Sequence, residues 1–174
     1  MLKSGDSLNL GPLRTKIHIK KTAAETDGRS FETEWEMGPQ TGGTPLHTHP
    51  KALESFEVLQ GKLDLRVNGS WRTLTAGETT SIEKGIPHTV RNASDEVTRV
   101  TMTFQPALKY DEYFDKLEKL VNSGVVESED MTFKAMAHLS MLMTSHPDEI
   151  RSVSPPYAAM RVFALAGRLL GYRV

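Results

Sequence analysis

The sequence predicts a mostly β fold, a double-sheet sandwich or barrel over residues 1–106, followed by an α-helical extension over residues 107–174. Three observations predict it. Short runs alternate apolar and polar residues with the period of two that a half-buried strand requires. Gly and Asn turn signals separate those runs at regular spacing. After Pro106 the apolar period lengthens to that of a helix.

Residues 30–37 carry the clearest strand, with Phe31, Thr33, Trp35 and Met37 alternating with Glu32, Glu34 and Glu36. The glutamates read as a solvated face. Ile17 and Ile19 mark a weaker early strand, with His18 between them expected to be exposed. A strand over 53–60 runs into Gly61. Residues 62–67 alternate again, and Asn68-Gly69 then joins them to a strand resuming at Trp71. Asn-Gly between two such runs signals a hairpin, because both turn positions need positive φ. Val100, Met102 and Phe104 share a face in a last strand over 97–104. Beyond Pro106, Tyr113, Phe114, Leu117, Leu120 and Val121 form a helical stripe over 111–121, with Gly124 just past the end. A second helix is expected over 131–144, and Ser154-Pro155-Pro156 precedes a third over 157–170. That third segment is apolar nearly all round, so burial over the β domain or against a second copy of the chain is expected, and a homodimer with it.

Composition narrows the chemistry. The chain has 174 residues, with 21 Lys and Arg against 22 Asp and Glu. This near-neutral balance gives no electrostatic footprint for nucleic acid or an anionic membrane. The absence of cysteine excludes disulfides, thiolate metal sites and a Cys nucleophile. Residues 1–11 show no secretory signal, and no stretch approaches the roughly 20 apolar residues of a spanning helix. A cytoplasmic protein is expected.

Three of the six histidines fall into one pattern. His47 and His49, spaced i, i+2, share a face on a strand. Glu54 follows near the start of the next strand, and His88 stands in a Gly-Ile-Pro-His turn from Gly85. Three imidazoles and a carboxylate fill most of the coordination sphere of one first-row divalent ion and leave room for a small molecule. The bland alternative is an internal hydrogen-bond network, which would bury four polar groups at a cost. Glu57 alternates away from Glu54 and reads as half of a salt bridge. His138 and His146 read as surface or capping residues. Trp35, Phe56, Met102 and Phe104 are candidates to line a pocket beside the cluster.

The segment from Gly42 through His47, His49 and Glu54 to Gly61 resembles the first motif of the cupin superfamily. Its leading Gly sits one position late, with Thr41 where the family has it. The segment from Gly77 through Gly85 and His88 to Asn92 resembles the second motif, with Glu83 in place of the usual Pro. The resemblance implies a double-stranded β-helix or jelly roll. It implies metal ligation by His47, His49, Glu54 and His88, with one divalent ion (Fe, Mn, Ni, Cu or Zn). It also implies a small-molecule ligand and leans toward a quercetinase-like dioxygenase acting on a diketone or polyphenol-like compound. A non-catalytic metal-containing binding or sensor module is the alternative. Asn92 is expected to hydrogen-bond a neighbouring turn.

Overall fold

Two antiparallel sheets account for the alternation in the sequence. In this computed structural model residues 2–128 and 131–174 are described; Met1, where the N-terminal reading begins, lies outside them. The larger sheet has six strands. In spatial order they are β1 (Ser7–Leu10), β2 (Thr15–Lys21), β3 (Phe31–Met37), β10 (Thr98–Gln105), β5 (Leu53–Gln60) and β8 (Thr79–Ile82). The smaller has five: β11 (Arg151–Ser154), β4 (Leu46–Thr48), β9 (His88–Arg91), β6 (Lys62–Val67) and β7 (Ser70–Thr75). The two sheets do not close into one hydrogen-bonded barrel; the architecture is a two-sheet jelly roll.

Register puts the apolar sets on one face. Met102 of β10 lies between Thr33 of β3 and Phe56 of β5, and Phe104 lies between Phe31 and Glu54. Glu54 is therefore a carboxylate set in an otherwise apolar inner surface, beside the fully buried Phe31, Phe56, Met102 and Phe104. The Asn68-Gly69 turn joins β6 to β7 with both residues at positive φ, 48° and 89°.

The glutamates of β3 are not a solvated face. Glu34 is buried, and Glu32 and Glu36 are half-buried. Because β3 runs between β2 and β10, each glutamate meets a cation on a neighbouring strand: Lys21 to Glu32 at 3.1 Å, Lys20 to Glu34 at 3.4 Å and Lys16 to Glu36 at 3.9 Å. Nε of Arg99 also donates to Glu34 at 2.9 Å. Asn92, fully buried, donates to the carbonyls of Met37, Gly38 and Glu96 and accepts from Ser94, so it ties the turn after β9 as expected.

The extension holds α1 (Tyr110–Asn122), α2 (Phe133–Ser145) and α3 (Tyr157–Leu169). Tyr110 and Phe114 on α1 stack over Phe104 and Phe31 at centroid distances of 4.1 and 5.6 Å, so the helix lies against the inner face of the large sheet. The Thr132 hydroxyl caps α2 by accepting from Ala135 N–H at 3.1 Å. Gly167 lets α3 approach α2: a Cβ there would stand 3.3 Å from the Ala137 Cβ and 2.9 Å from the Met141 sulfur.

Several expectations change. The extension is not purely helical, since β11 pairs with β4 and becomes the edge of the small sheet. His138 and His146 are buried, not on the surface, although His146 does cap the C-terminus of α2: Nδ1 of each donates to the carbonyl four residues earlier, and their rings face Tyr172 and Tyr113. His18 is half-buried and bonds Ser7 Oγ at 2.8 Å. Helix α3 buries Met160, Ala164 and Gly167 but leaves Val162, Leu165 and Leu169 exposed, so within one chain it is covered on one side. Among the described residues no helix is long and apolar enough to cross a membrane.

Candidate metal centre

His47 lies on β4 and His49 just beyond it; β4 pairs with β9 so that His47 stands opposite His88. The loop entering β4 must pass close to β9, and Gly43 permits this. Its φ is +82°, and a Cβ there would lie 1.7 Å from the Val90 carbonyl oxygen. Glu54 reaches the same point from β5 on the opposite sheet. All four side chains are buried, and one ligand atom from each lies within 4.8 Å of every other.

The outer nitrogens fix the chemistry. Nδ1 of His47 meets the Pro45 carbonyl at 2.7 Å, and Nδ1 of His88 meets the Ile86 carbonyl at 2.8 Å. Nδ1 of His49 meets the Glu149 carbonyl at 2.5 Å and the Tyr110 hydroxyl at 2.8 Å. A carbonyl oxygen carries no proton, so each Nδ1 is the donor, and in a neutral ring Nε2 is left as a lone pair. Those lone pairs converge. Nε2 of His47 is 3.1 Å from Nε2 of His49, and Glu54 Oε2 is 3.2 Å from His49 Nε2 and 2.7 Å from His88 Nε2. Two nitrogens bound at right angles to one ion, each about 2.1 Å away, stand about 3 Å apart. The residues present therefore fit a single divalent ion, with every imidazole already oriented from behind.

The electrostatics agree. Burial drives His47 down to about 3, with repulsion from His49 and His88 adding, so its ring stays neutral. Burial also works against ionising Glu54, but His49 and His88 outweigh it and hold the carboxyl far below its usual range. For His88 burial opposes the charge, yet the Glu54 hydrogen bond wins and its pKa is raised. A divalent ion held here would take the place of a proton shared by Glu54 and His88, which stand 2.7 Å apart.

A cavity of about 420 Å³ opens beside the cluster. Trp35, Phe56, Met102 and Phe104, the pocket candidates, all line it. Glu57 points away, is exposed, and forms no ion pair among the described residues. Sequence reasoning missed Tyr110 and Glu149, which hold His49 from the extension. The Tyr110 hydroxyl donates to the Glu149 carbonyl at 2.8 Å, and the Glu149 side chain accepts from Lys109 N–H at 3.0 Å. Neither lies in a motif; the ring of Tyr110 and the chain reversal before β11 are brought to His49 by tertiary packing.

Residues 33–104 match the family model of the cupin domain. A curated relative, quercetin 2,3-dioxygenase of Bacillus subtilis, is 34% identical over 83 residues, which cover 45% of this chain and 25% of that protein. The chain thus spans about a quarter of that relative's length. Among solved structures, an RmlC-like cupin from Shewanella frigidimarina superposes with TM-score 0.51 at 16% identity, over 62% of this chain and 88% of the other. KdgF from a Halomonas species gives 0.50 at 20% identity, over 58% and 87%. At these identities the structures speak for the fold. Together with the His-x-His, Glu and His placements, these likenesses identify residues 33–104 as a cupin domain.

Proposed function

We propose that the chain is a metal-dependent cupin binding a small organic molecule at a mononuclear site of His47, His49, Glu54 and His88, and that it acts as a dioxygenase on a diketone or polyphenol-like compound. The observation that supports it most is the convergence of four buried lone pairs whose outer nitrogens are all committed to carbonyl oxygens. When bound, Fe, Mn, Ni or Cu would supply redox chemistry at this point and Zn only Lewis acidity. The chain's own residues do the rest. The three imidazoles stay locked in one tautomer, and Glu54 supplies the negative charge that offsets the cation. Phe56, Met102 and Phe104 keep water from the reacting end of the cavity. The curated relative's printed activity leans the reading toward dioxygenation. The test is an oxygen electrode: consumption with a 1,3-diketone or a polyphenol by the wild-type chain, and none by His88→Ala, supports the proposal. No consumption with either class overturns the dioxygenase.

A second reading, a metal-containing binding or sensor module, draws on one observation. Glu54 is the only carboxylate among the described lining residues, so no separate acid and base pair faces the ligand. Ligand binding without turnover would favour it. Self-association through the exposed face of α3 belongs to either reading; sedimentation should show a dimer in the wild type and a monomer in Leu165→Glu.

A further inference from the structure

The walls of the cavity say what kind of molecule it holds. Its volume, about 420 Å³, lies within the range of ~300–1,000 Å³ usual for sites that enclose an organic ligand. Glu54 is the only Asp, Glu, Lys or Arg among the described lining residues. One divalent ion against Glu54 leaves about one positive charge, and nothing else in the walls offsets a second negative group on a ligand. A carboxylate placed away from the ion would lose its water without gaining a partner.

Most hydroxyl protons in the walls are already committed. Thr15 donates to the Leu13 carbonyl at 3.0 Å, Thr41 to Gly38 at 2.6 Å and Ser152 to Pro155 at 2.5 Å. Tyr110 donates to Glu149 at 2.8 Å. Thr44 and Tyr113 are the described lining hydroxyls not bonded to a backbone carbonyl. A ligand decorated with hydroxyl or carbonyl oxygens along its length would find few donors for them, which a buried site penalises.

The imidazoles and the carboxylate are gathered in one place in the walls. Tyr110 touches His49, and Leu117, seven residues further along α1, lines the cavity about 10 Å away along the helix axis. Six of the eight methionines line the same space, four of them (Met131, Met136, Met143 and Met160) from the extension. Unbranched, polarisable methionines adapt to flexible apolar shapes.

From these observations we infer that the ligand is an uncharged molecule with a largely hydrocarbon body and its oxygen atoms gathered at one end, next to His47, His49, Glu54 and His88. The inference rests on the metal-centre reading for the oxygen end and on the walls alone for the body. Within the proposed function it selects a diketone with an apolar tail over a polyphenol, and it sets aside small dianions.

The test is calorimetric titration of the full chain, after its metal content has been measured, with dodecane-2,4-dione, quercetin and oxalate. The dione is expected to bind at least tenfold more tightly than either of the others. Met136→Gln, on the half-buried face of α2, should weaken the dione at least threefold with metal content unchanged, and Met136→Leu should restore it. Quercetin or oxalate binding as tightly as the dione would overturn the inference, as would a dione affinity indifferent to Met136→Gln in a variant whose circular dichroism matches the wild type. Failure of the metal-centre reading is separable. If the chain takes up no metal, the dione titration into the metal-free protein still tests the walls. Binding that weakens in Met136→Gln supports them, and no binding overturns them.

Discussion

The cupin domain and the C-terminal extension build one site in different ways. Residues 33–104 supply the four donor atoms, three of them fixed by strand register: His47 opposite His88 across β4 and β9, and Glu54 opposite Phe104 across β5 and β10, with His49 one residue past the end of β4. The extension supplies none of the four. It contributes the Tyr110 hydroxyl and the Glu149 carbonyl that orient His49, a strand beside His47, and four methionine walls. Donors set by a strand ladder tolerate little change, because a slip of one residue turns a side chain to the other face. Walls set by helix packing can vary while the donors stay. On the proposed reading, the cupin domain sets what is bound at the ion and the extension what is bound around it.

The largest expected effect breaks the comparison at its boundary. Truncation after Pro106 removes β11 from the edge of β4 and uncovers Phe31, Trp35 and Phe104, so an insoluble or metal-free product is expected on expression. A soluble truncated chain with full metal content would show that the strands need no help. Next comes Gly43→Ala, which places a methyl 1.7 Å from the Val90 carbonyl at a φ of +82°. About 3 kcal/mol of stability should be lost in denaturant unfolding, with the entry to β4 displaced. An unperturbed midpoint would contradict the close approach.

Tyr110→Phe tests the reach of the extension into the centre. Loss of one hydrogen bond to a metal-bound imidazole should lower metal affinity about 10–100-fold. It should also change the absorption spectrum of a Co(II)-substituted protein, while thermal stability falls only by about 1 kcal/mol. An identical spectrum and affinity would confine Tyr110 to packing. The smallest effect lies on the outer face of β3. Burial opposes charge on Glu34, but Arg99 and Lys20 outweigh it and lower its pKa. Its contribution is therefore present above the ordinary carboxylate range and is lost as pH falls through the lowered folded value. Glu34→Gln should flatten the acid limb of the stability curve by at most about 1 kcal/mol, since both cations stand largely in water. Metal content should not change; if it does, the outer face is coupled to the centre.

The same division explains what the sequence discloses. His47, His49, Glu54 and His88 are legible because strand periodicity and two short motifs are local, and strand β5 over Leu53–Gln60 is read to the residue. Strand β4 is legible only through its histidine spacing, since three residues carry no period of their own, and β11 escapes because its Arg-Ser-Val-Ser pattern gains a partner only across the fold. Tyr110 looks like one more aromatic on a helical stripe, and nothing in its neighbourhood announces His49, 61 positions away. His138 and His146 are hidden for the same reason: their burial is set by Tyr172 and Tyr113 packing across them. The loop's need for Gly43 is visible only once Val90 is in place.

The central claim is that four side chains from facing sheets share one cation. Elemental analysis of the full chain purified from its own host, beside the same measurement on His49→Ala, tests it most directly. One equivalent of a first-row divalent metal per wild-type chain, absent from a folded His49→Ala variant, is the expected result. A wild-type chain that holds no metal even after incubation with each candidate ion, or a variant that retains a full equivalent, would contradict it.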